Sequence, residues 1–311
     1  ERIYCSNKDS STNLAKFKSS LQIKLQCVSN DFVEFDLIGI NASFANALRR
    51  ILLAEIPTIA IEDVFVHRNT SIIPDEILSQ RLGLLPVGVD PRLFQARKRD
   101  EEATDLNTIV FKLQVKCEKN PDASVIATQP AEKYLNSSVY ASQLEWIPQG
   151  LQNDLVKTPI SIIHPDILVA KLRPGQEIDL ELHCIKGIGK EHAKWSPVGT
   201  ASYRLMPNIR LLQDIKGEDA IKFAKCFPSG VVEVIKGKAV VIDARKDTVS
   251  RECLRHAEFK DKVALERIQD HFIFTIESIG QLPAQDLLVE ACNVLIEKCE
   301  QVREGLLEIT E

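Results

Sequence analysis

Three stretches carry residue types that could do chemistry. Gly187-Ile-Gly-Lys-Glu-His192 follows a strand-like run and offers two glycines and a lysine, the ingredients of a phosphate cradle. The match fails in detail. A P-loop has G-x-x-x-x-G-K-[ST], whereas Cys184 stands where the first glycine belongs and Glu191 follows Lys190. His183, Cys184 and His192 could ligate a metal, but adjacent strand residues point to opposite faces and no second thiol pair is near. No nucleophile elbow surrounds any serine or cysteine, and the carboxylate pairs Glu62-Asp63 and Glu101-Glu102 sit in strand-edge or charged contexts that keep them solvated. Neither catalytic residues nor a cofactor or metal site is expected. A free-standing α+β enzyme using the Gly187–His192 loop remains the rival reading.

The more informative spacing is apolar. Phe44, Ala47, Leu48, Ile51 and Leu52 recur at i, i+3 and i+4, which predicts a helix over 43–56. Ser43 is its expected N-cap, and Pro57 ends it by forcing Ile56 out of helical geometry. Asn46, Arg49 and Arg50 fall on its other faces, where two planar guanidiniums suit carboxylates of another chain. Near the end of the chain, Pro283 opens a longer helix to about Arg303 with a stripe of Leu288, Ala291, Cys292, Leu295, Cys299 and Val302, widened by Leu287 and Val294. Each large apolar side chain left bare forfeits about 1.5–3 kcal/mol, so both stripes must pack on something.

The chain has 311 residues, 44% hydrophobic, enough for one large or two ordinary domains. Its net charge of −5 argues against a free-standing, sequence-specific nucleic-acid binder. Eight cysteines without a C-x-x-C pair fit a reducing, intracellular compartment, and neither a signal-peptide core nor an apolar run of membrane-spanning length is present.

Between the helices the pattern is mostly strand. Residues 1–20 read as a polar tail ordered only where a neighbour holds it. Alternation predicts two strands in 21–40, a strand at Thr58–Val66, a short helix at Asp75–Leu82 and a one-sided strand at Thr108–Cys117. Arg173-Pro-Gly-Gln176 predicts a type II turn joining 167–172 to 178–184 as a hairpin. A strand at Ala201–Leu212, a helix at Ala220–Phe227 and a hairpin around Lys236-Gly237 follow. Asp243–Asp270 reads as solvated or interfacial, and Phe272–Ile276 as a short strand.

Four motifs, in order, resemble the RNA polymerase alpha subunit family: Ala45-Asn-Ala-Leu-Arg-Arg-Ile-Leu52, the run Asn69–Pro86, Gly187–Pro197 and His271–Ser278. The resemblance implies an α+β, alpha N-terminal-like fold. A discontinuous dimerisation domain of 21–56 plus 262–311 would be interrupted by a β-rich insert at 57–261, with the strand at 201–212 assignable to either. It implies a non-catalytic assembly role: a heterodimer with a smaller alpha-like subunit, docked on the second-largest polymerase subunit and small adaptors, in the nucleus including the nucleolus. Phe44, Leu48, Ile51 and Leu52 would form the dimer core, and Arg49 and Arg50 would reach the large subunit. The Gly187–Pro197 loop becomes an assembly contact through Lys190, His192, Lys194 and Trp195, or else a glycine-rich loop folded over its own sheet. Polymerase II relatives carry four zinc-binding cysteines after the Leu-Gly-Leu-Leu-Pro run. Val87–Lys116 has none here, which places the resemblance nearest the branch shared by eukaryotic RNA polymerases I and III and disfavours a polymerase II type subunit.

Overall fold

Val33, Phe35 and Leu37 recur at every second residue, and the strand Phe32–Ile38 buries all three on one face. Gln22–Val28 pairs with it antiparallel, placing Ile23 opposite Leu37, Leu25 opposite Phe35 and Val28 opposite Val33. The computed structural model describes residues 2–4, 14–98, 100–121 and 129–310. Half of the tail expected over 1–20, residues 1 and 5–13, therefore lies outside the described residues, whereas Arg2–Tyr4 is a strand and Leu14–Ser20 a helix. The architecture is α+β, in two compact units that each draw on distant parts of the chain.

The first unit takes residues up to 28, 33–49 and 202–275. Its sheet runs Arg2–Tyr4, Val263–Ser278, Phe32–Ile38, Gln22–Val28, with Val198–Leu211 also pairing to Val263–Ser278. Phe35 and Phe274 stack across it at 5.2 Å, and Tyr203 sets its ring 5.3 Å from Phe272 and 5.2 Å from Phe274. A second cluster gathers Phe223 of the helix Glu218–Lys225 with Val231, Cys253 and Phe259. The hairpin Val232–Ile235 and Lys238–Val241 turns through Lys236 and Gly237, both at positive φ, as a two-residue turn of this hand requires.

The charged run 243–270, expected to be solvated or interfacial, instead contributes to a core. Cys253 and Phe259 are fully enclosed, and the strand Val263–Ser278 spans sixteen residues rather than the five expected. Arg245 ion-pairs with both Glu34 and Asp36, tying this segment to the sheet.

The second unit takes 29–32, 50–201 and 276–311. An antiparallel sheet orders Glu145–Ile147, Ile109–Lys116, Glu177–Ile188 and Pro57–Asn69. The alternation of Ile109, Phe111, Leu113 and Val115 meets that of Ile178, Leu180, Leu182 and Cys184 in one core, which also takes in Leu78 and Leu82 of the helix Asp75–Gly83. Arg81 anchors that helix by donating to the carbonyls of Leu168 and Val169 at 2.7 and 2.9 Å.

The turn at 173–176 forms, with Gly175 at φ 87° and Gln176 N–H donating to the Arg173 carbonyl at 3.0 Å. Its flanking strands do not pair with each other. Leu168–Lys171 joins Ser138–Tyr140, while Glu177–Ile188 finds longer ladders on Ile109–Lys116 and Pro57–Asn69. The compact units also divide elsewhere than at the expected boundaries of 56 and 262. Pairing of Val198–Leu211 with Val263–Ser278 draws 202–261 into the first unit, and the last helix groups with 50–201.

Candidate subunit interface

The helix Ala42–Ala54 is capped by Asn41 rather than Ser43. Asn41 Oδ1 accepts from Ser43 N–H at 3.4 Å, and its carbonyl accepts from Phe44 and Ala45 N–H at 3.1 and 3.2 Å. The chain's own residues enclose Ala45, Ile51 and Leu52. Ala47 and Leu48 are half-buried, and Phe44 is exposed, its ring 5.9 Å from that of Phe17. Ile51 and Leu52, expected in a dimer core, are thus consumed internally, because the stripe is wide enough to present two faces. Arg49 turns back on its own helix, with Nε and Nη2 donating to Asn46 Oδ1 at 3.1 and 2.8 Å. Arg50 is exposed.

The last helix, Ala284–Thr310, runs past the expected end at Arg303. Leu287 and Ala291 are buried, Leu288, Val294 and Leu295 half-buried, and Cys292, Cys299 and Val302 exposed. Over 296–309 every residue except Gly305 is exposed. Leu288, Cys292, Leu295, Cys299, Val302, Leu306 and Ile309 alternate spacings of four and three, the seam of a helix that packs along another helix. Val302 and Leu306 are 64% and 60% exposed, so the seam is bare over two turns.

A third apolar surface escapes sequence reasoning. Directly opposed residues of antiparallel strands share a face, so Ile23, Leu25 and Val28 continue the face on which Leu37, Phe35 and Val33 are buried. On the edge strand that face is uncovered, with Leu25 64% exposed. Alternation in 21–28 signals the strand; only register reveals that its apolar side is unfinished.

The Gly187–Pro197 loop is largely internal. Trp195 is 4% exposed, its indole N–H donates to the Ile185 carbonyl at 3.2 Å, and its ring lies against Gly187, where a Cβ would come within 2.5 Å. It is a packing residue and not an outward anchor. Gly189 is pressed on the end of the helix Ala42–Ala54, a Cβ there falling 2.5 Å from the Leu53 carbonyl, and Lys190 N–H donates to the Ala54 carbonyl at 2.8 Å. The glycines serve close backbone approach, not phosphate. Lys194 lies 4.5 Å over the Trp195 ring and binds the Ile61 carbonyl and Glu62. His192, exposed, caps the following turn through Nδ1, leaving Lys190 and His192 as the outward-facing members of the expected set.

An open cleft of about 500 Å³ borders Lys190, Arg92, Lys186, Glu55, Glu290 and Lys298. Two of its cations are ion-paired: Lys298 binds Glu55 at 2.8 Å, and Arg92 binds Glu290 at 3.4 Å and the neighbouring Asp90 at 2.8 Å. Burial holds the Lys186 ammonium below the usual lysine range, and it donates to the Phe94 carbonyl at 3.0 Å. Burial likewise pushes the Cys184 thiol far up, making it a poor nucleophile or ligand. Among the described residues no group of three His, Cys, Asp or Glu could hold a metal.

A family pattern described as the RNA polymerase Rpb3/Rpb11 dimerisation domain matches residues 34–299. The chain is 50% identical to the human protein named DNA-directed RNA polymerases I and III subunit RPAC1, across 94% of this chain and 86% of that one. It is 49% identical to the Saccharomyces cerevisiae protein of that name, across 94% and 89%. Identity falls to 31% for the Arabidopsis thaliana DNA-directed RNA polymerases II, IV and V subunit 3, across 93% and 92%. The bare helical seam and the unfinished sheet face thus occur in a chain that belongs to the RNA polymerase Rpb3/Rpb11 dimerisation-domain family.

Proposed function

We propose that this chain is a non-catalytic assembly subunit of DNA-directed RNA polymerases I and III. The observation that carries the reading is the uncovered apolar seam of Ala284–Thr310, in a chain half identical to proteins named as subunits of those two enzymes. A smaller alpha-like subunit covers this seam together with Phe44, Ala47, Leu48 and the edge strand Gln22–Val28. The second-largest subunit and small adaptors then take up the insert, with Arg50, Lys190 and His192 as polar contacts. In this reading 21–56 plus 262–311 dimerise, 57–261 is the insert, and the chain works in the nucleus and nucleolus. The cysteine-free stretch Val87–Lys116 and the drop to 31% identity support the polymerase I and III branch over a polymerase II subunit.

Gentle affinity purification of the native complex, followed by mass spectrometry of its intact components, tests this. The expected result is recovery with a smaller alpha-like subunit and the large subunits of both polymerases. Recovery as a single chain, or with polymerase II alone, overturns it.

A further inference from the structure

A cavity of about 70 Å³ in the first unit is walled by Leu205, Ile209, Val249 and Leu265 and is also lined by Asp247. Asp247 is 6% exposed, and its Oδ1 is buried with no hydrogen-bond donor among the described residues. The rest of the residue is held in place: its N–H donates to the Ala244 carbonyl at 3.1 Å, and its carbonyl accepts from Arg204 Nη1 at 3.5 Å. A buried acceptor left unpaired is unfavourable, and each such group in a native fold calls for a reason. The segment that follows is also strained. Val249 and Arg251 hold φ of 59° and 58°, and for a β-branched residue the left-handed region is an outlier. Such strain persists only where the surroundings impose it, and it gathers at ligand sites.

The wall's other charges are engaged. Glu266 accepts from Asn208 and Arg210 at 3.3 and 3.1 Å, and Arg251 and Arg267 have partners of their own. One carboxylate oxygen on the lining of this space therefore awaits one donor. An ammonium is a point donor on a stem of methylenes, whereas a guanidinium fork would leave a second donor unmatched. A hard divalent cation would want several more oxygens than this space supplies. The volume exceeds the roughly 10–15 Å³ that a single water requires. We propose that this cavity is a socket for a lysine side chain of a neighbouring polypeptide, whose ammonium donates to Asp247 Oδ1.

Leu265, Glu266 and Arg267 of the wall fall within 262–311, but the socket uses none of the apolar side chains assigned above to the contact with the smaller subunit. Zero-length carbodiimide crosslinking of the native complex purified through this chain, read by peptide mass spectrometry, tests it. The expected product joins Asp247 to a lysine of another subunit. Asp247→Asn should remove that product and speed dissociation of the linked subunit about tenfold or more. Absence of an inter-chain link at Asp247 in the wild-type complex, including a link only to a lysine of the same chain, overturns the proposal whatever the variant does. A complex other than a polymerase would defeat the functional reading while leaving the crosslink to decide the socket.

Discussion

Gln281 imitates a strand for Ile59. Its Oε1 accepts from Ile59 N–H at 3.2 Å, and its Nε2 donates to the Ile59 carbonyl at 2.6 Å, so one buried side chain satisfies both backbone groups of a residue far away in sequence. The pair fastens the approach to the last helix onto the strand Pro57–Asn69. Gln281→Leu strands two buried backbone groups and should destabilise the second unit by about 2–4 kcal/mol. Hydrogen exchange at the Ile59 amide should accelerate in step; unchanged protection there would show the pair to be dispensable.

Arg245 holds Glu34 and Asp36, and His271 Nε2 lies 3.2 Å from Asp36 Oδ2. Burial opposes ionisation of Asp36, but the bond from Arg245 and then the nearby His271 outweigh it and hold its carboxyl below the usual value. A depressed folded-state value means that this stabilisation is fully present above about pH 4 and is lost as pH falls through the lower folded value. Asp36→Asn should therefore lower stability at neutral pH by about 1–3 kcal/mol and flatten the acid limb of a stability-against-pH curve. An acid limb identical to wild type would contradict the assignment.

Gly189 faces the Leu53 carbonyl too closely for a Cβ. Gly189→Ala should cost about 1–3 kcal/mol through overpacking, read as a lower denaturation midpoint, whereas alanine at the open Gly199 should leave it within about 0.5 kcal/mol. Equal effects at both would mean that the loop is not pressed on the helix as described.

Leu25→Asp and Val302→Asp alter exposed positions and should leave the chain's own fold within about 0.5 kcal/mol of wild type. In the assembled enzyme each would bring an unpaired charge into a dry contact, at a cost of several kcal/mol. Co-purification of the smaller subunit should fall sharply for both while far-UV circular dichroism stays unchanged.

The elements whose apolar residues repeat with one clear period were legible: the strand Ile109–Lys116, the helices near 44 and 287, and the Lys236-Gly237 hairpin. Pairing partners were not. Pro174-Gly175 specifies a turn locally, yet longer ladders elsewhere decide where its two strands go. Charge alternation in 243–270 hid Phe259 and Cys253, because a strand or turn buries single residues without a contiguous apolar run. At the candidate interface, spacing finds both helical stripes but cannot divide the first between inside and outside, and so assigns Ile51 and Leu52 to a contact although the chain itself buries them. The sheet face of Ile23, Leu25 and Val28 required register, which no single segment carries.

Cys292 and Cys299 lie in the exposed seam and report on it without mutation. Thiol alkylation of the intact complex, compared with the same chain freed from its partners, follows their coverage directly. Partial burial holds the Cys292 thiol above its usual value, so the account predicts that Cys299 reacts faster than Cys292 in the free chain and that both are protected at least tenfold in the complex. Equal alkylation rates in the two states would contradict the claim that another subunit covers this helix.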